Sequence, residues 1–181
     1  VRVADAARSY IERSIMGLDA CVYCDCVEKS RLRTPHPYPK QLYIERNGSP
    51  EIRSVDSVKQ EKHDAWMQAS PCKHNEMTFD DAHLGNAGFI GLLRDALKEA
   101  SSMLPACPVL LSKVLYSGTH TGDFLSPVQV SLLHEELQQL KSADLRASGL
   151  PRPQIKPVLS LLAELERLSK SALKLKKPIA F

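Results

Sequence analysis

Apolar residues return every three or four positions in three stretches of this chain, and each stretch predicts an amphipathic helix. Phe89, Leu92, Leu93, Ala96, Leu97, Ala100 and Leu104 form the stripe of a helix across 83–104. Val130, Leu133, Leu137 and Leu140 form a second stripe. Ser126 precedes it as N-cap, with Pro127 at the first helical position and Gln129 at the third, the order of a capping box. Val158, Leu161, Leu165, Leu168, Ala172 and Leu175 repeat with the shorter period of a heptad seam. A fourth helix is predicted over "DSVKQEKHDAWMQAS", with Asp56 as its N-cap and Pro71 just beyond its end.

Period-two and β-branched segments are fewer. "LDACVYCDCV" reads as a strand, and "QLYIER", "NGSP" and "EIRSV" read as a hairpin turning at Asn47-Gly48. Between them, residues 28–40 hold Pro35, Pro37 and Pro39 and no apolar period, so a loop is expected. "CPVLLSKVLYSG" reads as a buried strand or an apolar connector. The fold class predicted is α+β: a small antiparallel sheet with three or four packed helices. Residues 16–147 are read as one domain and the proline-rich 148–157 as a linker. Residues 158–181 are read as a basic amphipathic C-terminal helix, which either packs on its own domain or serves a partner or self-association. "MGLDACVYC" makes Met16 a plausible start, so residues 1–15 are expected to lie outside the native fold.

Composition narrows the class. The chain has 181 residues, 43% hydrophobic and 25% charged, enough for one domain with a sizeable core. No apolar run approaches the roughly 20 residues of a membrane span, and no basic-then-apolar leader opens the chain. A cytoplasmic protein is expected. Net charge is +3, but residues 141–181 carry nine lysines and arginines against three acids, a basic appendage on a mildly acidic body.

Five cysteines, three of them within "CVYCDC", make an awkward disulfide set and point to metal ligands or free thiols. On a strand, Cys24 and Cys26 would share a face while Cys21 points away. "CKH" places Cys72 and His74 at the same spacing. Together Cys24, Cys26, Cys72 and His74 would make a Cys3His tetrahedron for a structural zinc ion. If the chain turns at Tyr23 instead, Cys21 and Cys24 form a knuckle and the set shifts, with His63 in reserve. The competing reading is that small cysteines fill a core, which is where the isolated Cys107 is placed.

A second candidate is the loop "YSGTHTGDF". Ser117, Thr119, His120 and Asp123 could act as a hydrolase-like group, with His120 as base and Asp123 as its orienter. A hydrogen-bonded turn explains the same residues. "GNAGFIG" lacks the order of a P-loop or dinucleotide fingerprint, and its glycines are expected to permit close helix packing. The basic loop 28–40 brings no known nucleic-acid motif with it, so nucleic-acid binding is not expected.

"MGLD", "GNAGFIGLLRDAL" and "LYSGTHTGDFLSPVQVSLLHEELQQL", in that order, resemble segments of small bacterial and phage proteins of no established activity. The resemblance spans about residues 16–142 and implies a bacterial or phage setting, with no catalytic residue to carry over. The function expected is a non-catalytic interaction or regulatory module, immunity-like, held by one structural zinc. The alternative is a hydrolase-like enzyme using the Ser117–Asp123 loop.

Overall fold

The computed structural model describes residues 17–118, 120 and 122–181. The expectation for residues 1–15 lies outside them. The fold is α+β. Its main sheet begins with β1 (Gly17–Tyr23), where Leu18, Ala20 and Val22 are buried and Asp19 stands exposed on the other face. After Tyr23 the chain makes a long excursion. It holds the hairpin β2 (Leu42–Ile44) and β3 (Pro50–Ile52), then helix α1 (Ser57–Gln68), and returns through a short 3-10 turn at Asn75–Met77. The return strand β4 (Thr78–Asn86) pairs antiparallel with β1, Asp19 opposite His83 and Cys21 opposite Asp81.

Helix α2 (Ala87–Glu99) follows directly, its first turn capped by the Asn86 side chain on the Phe89 N–H at 2.8 Å. The first four residues of the helix predicted over 83–104 are therefore strand. Gly85 sits in β4 at φ 143°, where a β-carbon would meet the Phe89 ring. A β-carbon at Gly88 would meet only the Asn86 side chain and one at Gly91 only the Arg94 guanidinium, so the three glycines do not make a packing stripe. The segment read as a buried strand or connector is instead one wide helical turn, Leu110–Val114, closed by the Leu115 N–H on the Leu110 carbonyl at 2.8 Å. The Glu136 carboxylate accepts from the Val109 and Leu110 N–H groups, at 2.8 and 2.9 Å, and so caps its start.

Strand β5 (Phe124–Leu125) leads into α3 (Pro127–Ser142), which starts at the capping box of Ser126 and Gln129. Helix α4 (Arg152–Leu175) has the 24 residues of its predicted counterpart but starts and ends six residues earlier, taking in part of the segment read as a linker. Pro153 fits within its first turn, where no N–H is needed, and Pro157 is accommodated inside it. Lys176 ends it in the left-handed region at φ 56°. The chain then turns back, and β6 (Ile179–Ala180) fits between β1 and β5, giving the order β4-β1-β6-β5. That terminal strand was not predicted; Pro178 stops the helix and an apolar Ile-Ala-Phe follows.

The apolar stripe of α4 (Val158, Leu161, Leu165, Leu168 and Ala172) is buried against α3 and the sheet, in one core with Leu18, Val22, Leu93, Leu133 and Ile179. Gln138 and Lys141 of α3 reach across to Glu166 of α4. The excursion has a separate, smaller core of Cys24, Cys26, Trp66, Cys72 and Met77. No helix among the described residues is long and apolar enough to cross a membrane.

Candidate metal centre

The small core is mostly thiols. Cys24, Asp25 and Cys26 form the turn that leaves β1, held by the Cys24 N–H on the Met77 carbonyl and the Arg31 N–H on the Cys26 carbonyl, both 2.8 Å. Asp25 between the cysteines is itself pinned by Lys29 and Arg31. These cations outweigh the cost of burying its carboxylate, so its pKa lies below the ordinary value. On the returning side, Pro71 accepts from the Arg33 and Thr34 N–H groups, which ties the 33–38 loop to the Cys72 turn. Four of the five non-glycine residues with positive φ, namely Ser30, Ser70, Glu76 and Met77, lie in the chain around these two turns. Backbone in that region is costly for such residues, so the surrounding structure must over-determine it.

These turns bring Cys24, Cys26, Cys72 and His74 together, their donor atoms all within 4.8 Å of one another. Cys24 Sγ lies 3.8 Å from Cys72 Sγ. His74 Nδ1 lies 3.4 Å from Cys26 Sγ and 3.5 Å from Cys72 Sγ. A regular tetrahedron with Zn–S of about 2.3 Å and Zn–N of about 2.05 Å has edges of about 3.8 Å between sulfurs and about 3.6 Å between sulfur and nitrogen. Three of the six spacings come close to those edges, and the other three lie within 4.8 Å. None of the cysteines is in a disulfide, and a bond between Cys24 and Cys72 would need the sulfurs near 2.05 Å.

The electrostatics fit cation binding. Burial pushes the Cys24 thiol well above its ordinary value and raises that of Cys26, and the Cys72 thiol adds to the rise at both. Three thiolates cannot share this space without a cation, and a bound metal reverses that penalty. Burial, then Lys73 and Arg31, hold His74 below the usual imidazole range, so it stays neutral as a ligand must. The His74 N–H also donates to Cys72 Sγ at 3.3 Å, which favours the thiolate.

The two reserve residues lie elsewhere. Cys21 stays in β1 on the face away from the core, opposite Asp81 and Ala180, and burial raises its thiol to about 11. The knuckle of Cys21 with Cys24 does not form, because β1 runs on to Tyr23 and its pleat turns Cys21 away. His63 is buried in α1 against His36, 3.1 Å from it. Cys107 is in the main core as expected.

In the 117–123 loop, His120 is buried, its Nε2 donating to the Val114 carbonyl at 2.8 Å. Its ring lies between Tyr116 and Phe181, with centroids 4.8 and 4.7 Å away. Nδ1 is 3.8 Å from the Asp123 carboxylate, which Tyr116 also contacts through its hydroxyl. Ser117 is half-buried, and Thr119 lies outside the described residues. Two surface hollows among the described residues lie elsewhere, one lined by His83, Phe89 and Ser160, the other by Arg146, Arg152 and Lys156.

Sequence reasoning missed the turn residues that position the ligands, and it missed His36. The signal was there in "TPHPYP", where three prolines stiffen the backbone around one histidine.

No family model, no curated protein and no solved structure matches this chain.

Proposed function

We propose that this protein is a non-catalytic interaction module, regulatory or immunity-like, whose excursion between β1 and β4 is folded around one structural zinc ion. The observation that carries the reading is the convergence of the Cys24, Cys26, Cys72 and His74 donors within 4.8 Å of one another, three of the pairs close to tetrahedral edge lengths. Three thiolates and an imidazole suit zinc among common divalent metals. Four protein ligands close the coordination sphere and leave no position for water or substrate. The metal would reinforce the small core of residues 24–77, which buries only Trp66 and Met77 besides its thiols. Free thiols kept reduced fit a cytoplasmic setting.

The hydrolase alternative requires His120 to meet a substrate. Its Nε2 is engaged with the backbone and its ring is sandwiched, which favours the interaction reading. A protein partner, or a second copy of the chain, would meet apolar side chains left in solvent: Val128 and Leu132 one turn apart on α3, and Leu159 on α4.

The test is a pair of variants, Cys24→Ser and Cys72→Ser, assayed for bound zinc and thermal stability, with light scattering of the parent protein across concentration. Each variant should lose the metal and melt at lower temperature. Unchanged metal content and melting in both would sink the zinc reading. Ester or phosphoester hydrolysis that vanishes in His120→Ala would sink the interaction reading.

A further inference from the structure

Two buried histidines lie outside the thiol cluster. His36, in the 33–38 loop, and His63, on α1, are 4% and 3% exposed. The Tyr38 backbone N–H donates to His36 Nδ1 at 2.9 Å. That nitrogen is therefore unprotonated, and His36 carries its proton on Nε2. His36 Nε2 lies 3.1 Å from His63 Nδ1, which must then be the acceptor. His63 in turn carries its proton on Nε2, 4.0 Å from the Glu51 carboxylate of β3. One chain of hydrogen bonds (Tyr38, His36, His63) fixes both tautomers and joins the 33–38 loop to α1. The same logic excludes a metal ion between the rings. Ligation through His36 Nε2 would move its proton to Nδ1, facing the Tyr38 N–H.

We propose that His36 and His63 form an acid-sensitive latch, which clamps the 33–38 loop to α1 while both rings are neutral and releases it when either is protonated. Each ring has one unprotonated nitrogen, and each of those already accepts a hydrogen bond. A proton on His36 Nδ1 opposes the Tyr38 N–H. A proton on His63 Nδ1 opposes the His36 Nε2–H. Either event sets donor against donor inside a buried site.

The surrounding charges are few. The Glu51 carboxylate of β3 lies 4.0 Å from His63 Nε2, and Lys59 of α1 lies 5.7 Å over the Tyr38 ring. Trp66 of α1 walls the pair, 4.7 Å from His36 and 6.0 Å from His63. Burial, and the repulsion of a charged His63, hold His36 below its ordinary value. A histidine with a lowered folded pKa stabilises fully above the unfolded value of about 6.5, and the contribution is lost as pH falls below it. The latch is thus closed at neutral pH and opens in weak acid.

Trp66 is the chain's one tryptophan, so its emission reports on this site alone. The experiment is a fluorescence titration of the protein as purified, with bound metal measured on the same samples. We expect one reversible transition below about pH 6.5, completed while the metal is still bound. His63→Asn keeps an acceptor toward His36 and cannot take up a proton, and His36→Asn keeps the acceptor toward the Tyr38 N–H. In each the midpoint should fall by a pH unit or more, or the transition should vanish. A transition that survives unchanged in both variants, or that only accompanies metal loss, overturns the latch without touching the zinc reading. Should the variants not fold, nitrogen-15 shifts of the wild-type rings decide. Both rings protonated on Nε2 at neutral pH and titrating together support the latch, and independent titration near the ordinary value overturns it.

Discussion

Stripping the metal from the native protein should open the 24–77 excursion and leave the main core standing. The magnitude follows from chain length. Cys24 with Cys72, and Cys26 with His74, each join residues 48 apart in sequence. Closing a loop of that length removes about 4 kcal/mol of chain entropy from the open state, on the relation used for disulfides. Besides its three thiols the small core buries only Trp66 and Met77, with Val27, Leu32, Leu42, Met67 and Phe79 half-buried around them, to offset such a loss. The leucine-rich core of α2, α3 and α4 does not depend on the ligands at all. Hydrogen exchange read by mass spectrometry, with and without a zinc chelator, tests this. Amides of α1, and those of Arg33 and Thr34, should exchange about three orders of magnitude faster once the metal is gone. Those of α3 and the buried turns of α4 should keep their protection. Unchanged protection of α1 in verified metal-free protein, or even loss across the whole chain, would refute the reasoning.

Other parts of the fold give sharper mutational outcomes. Gly118→Ala would put a β-carbon 2.3 Å from the Ala87 Cα, a backbone clash, and should destabilise by roughly 1–3 kcal/mol in urea unfolding. Glu136→Ala leaves the Val109 and Leu110 N–H groups without their acceptor, and a loss of about 2–4 kcal/mol is expected in the same assay. Hydrogen bonds from Lys141, Lys170 and Gln138 lower the Glu166 pKa to about 2. Its stabilising contribution is therefore present above the unfolded value and lost as pH falls toward about 2. Glu166→Gln should lower the melting temperature at pH 7, and the difference from wild type should shrink steadily on acidification.

How far the sequence could be read depended on the range of the interaction. The caps at Asp56 and Ser126 and the stripes of α3 and α4 were legible because each is written within a few residues. The four donors could also be singled out, since two pairs at matching spacing suggest one site. The strand geometry assumed for them does not occur: β1 ends at Tyr23, and turns with strained backbone, not a pleat, aim Cys24 and Cys26. Strand β4 was hidden because its apolar residues, Ala82 and Leu84, run into the stripe of α2, and only the Asn86 cap divides them. The turn at 110–114 owes its cap to Glu136, 26 residues away, which no local pattern reveals. Strand β6 is two residues long, and what recruits it is the gap between β1 and β5.

The most direct test of the central claim is elemental analysis of protein purified with neither added metal nor chelator, paired with thiol titration under native conditions. One zinc per chain is predicted, with Cys24, Cys26 and Cys72 unreactive until it is removed. A stable, monodisperse sample with no metal, in which those thiols behave the same with or without chelator, would contradict the account and return the cysteines to an ordinary core.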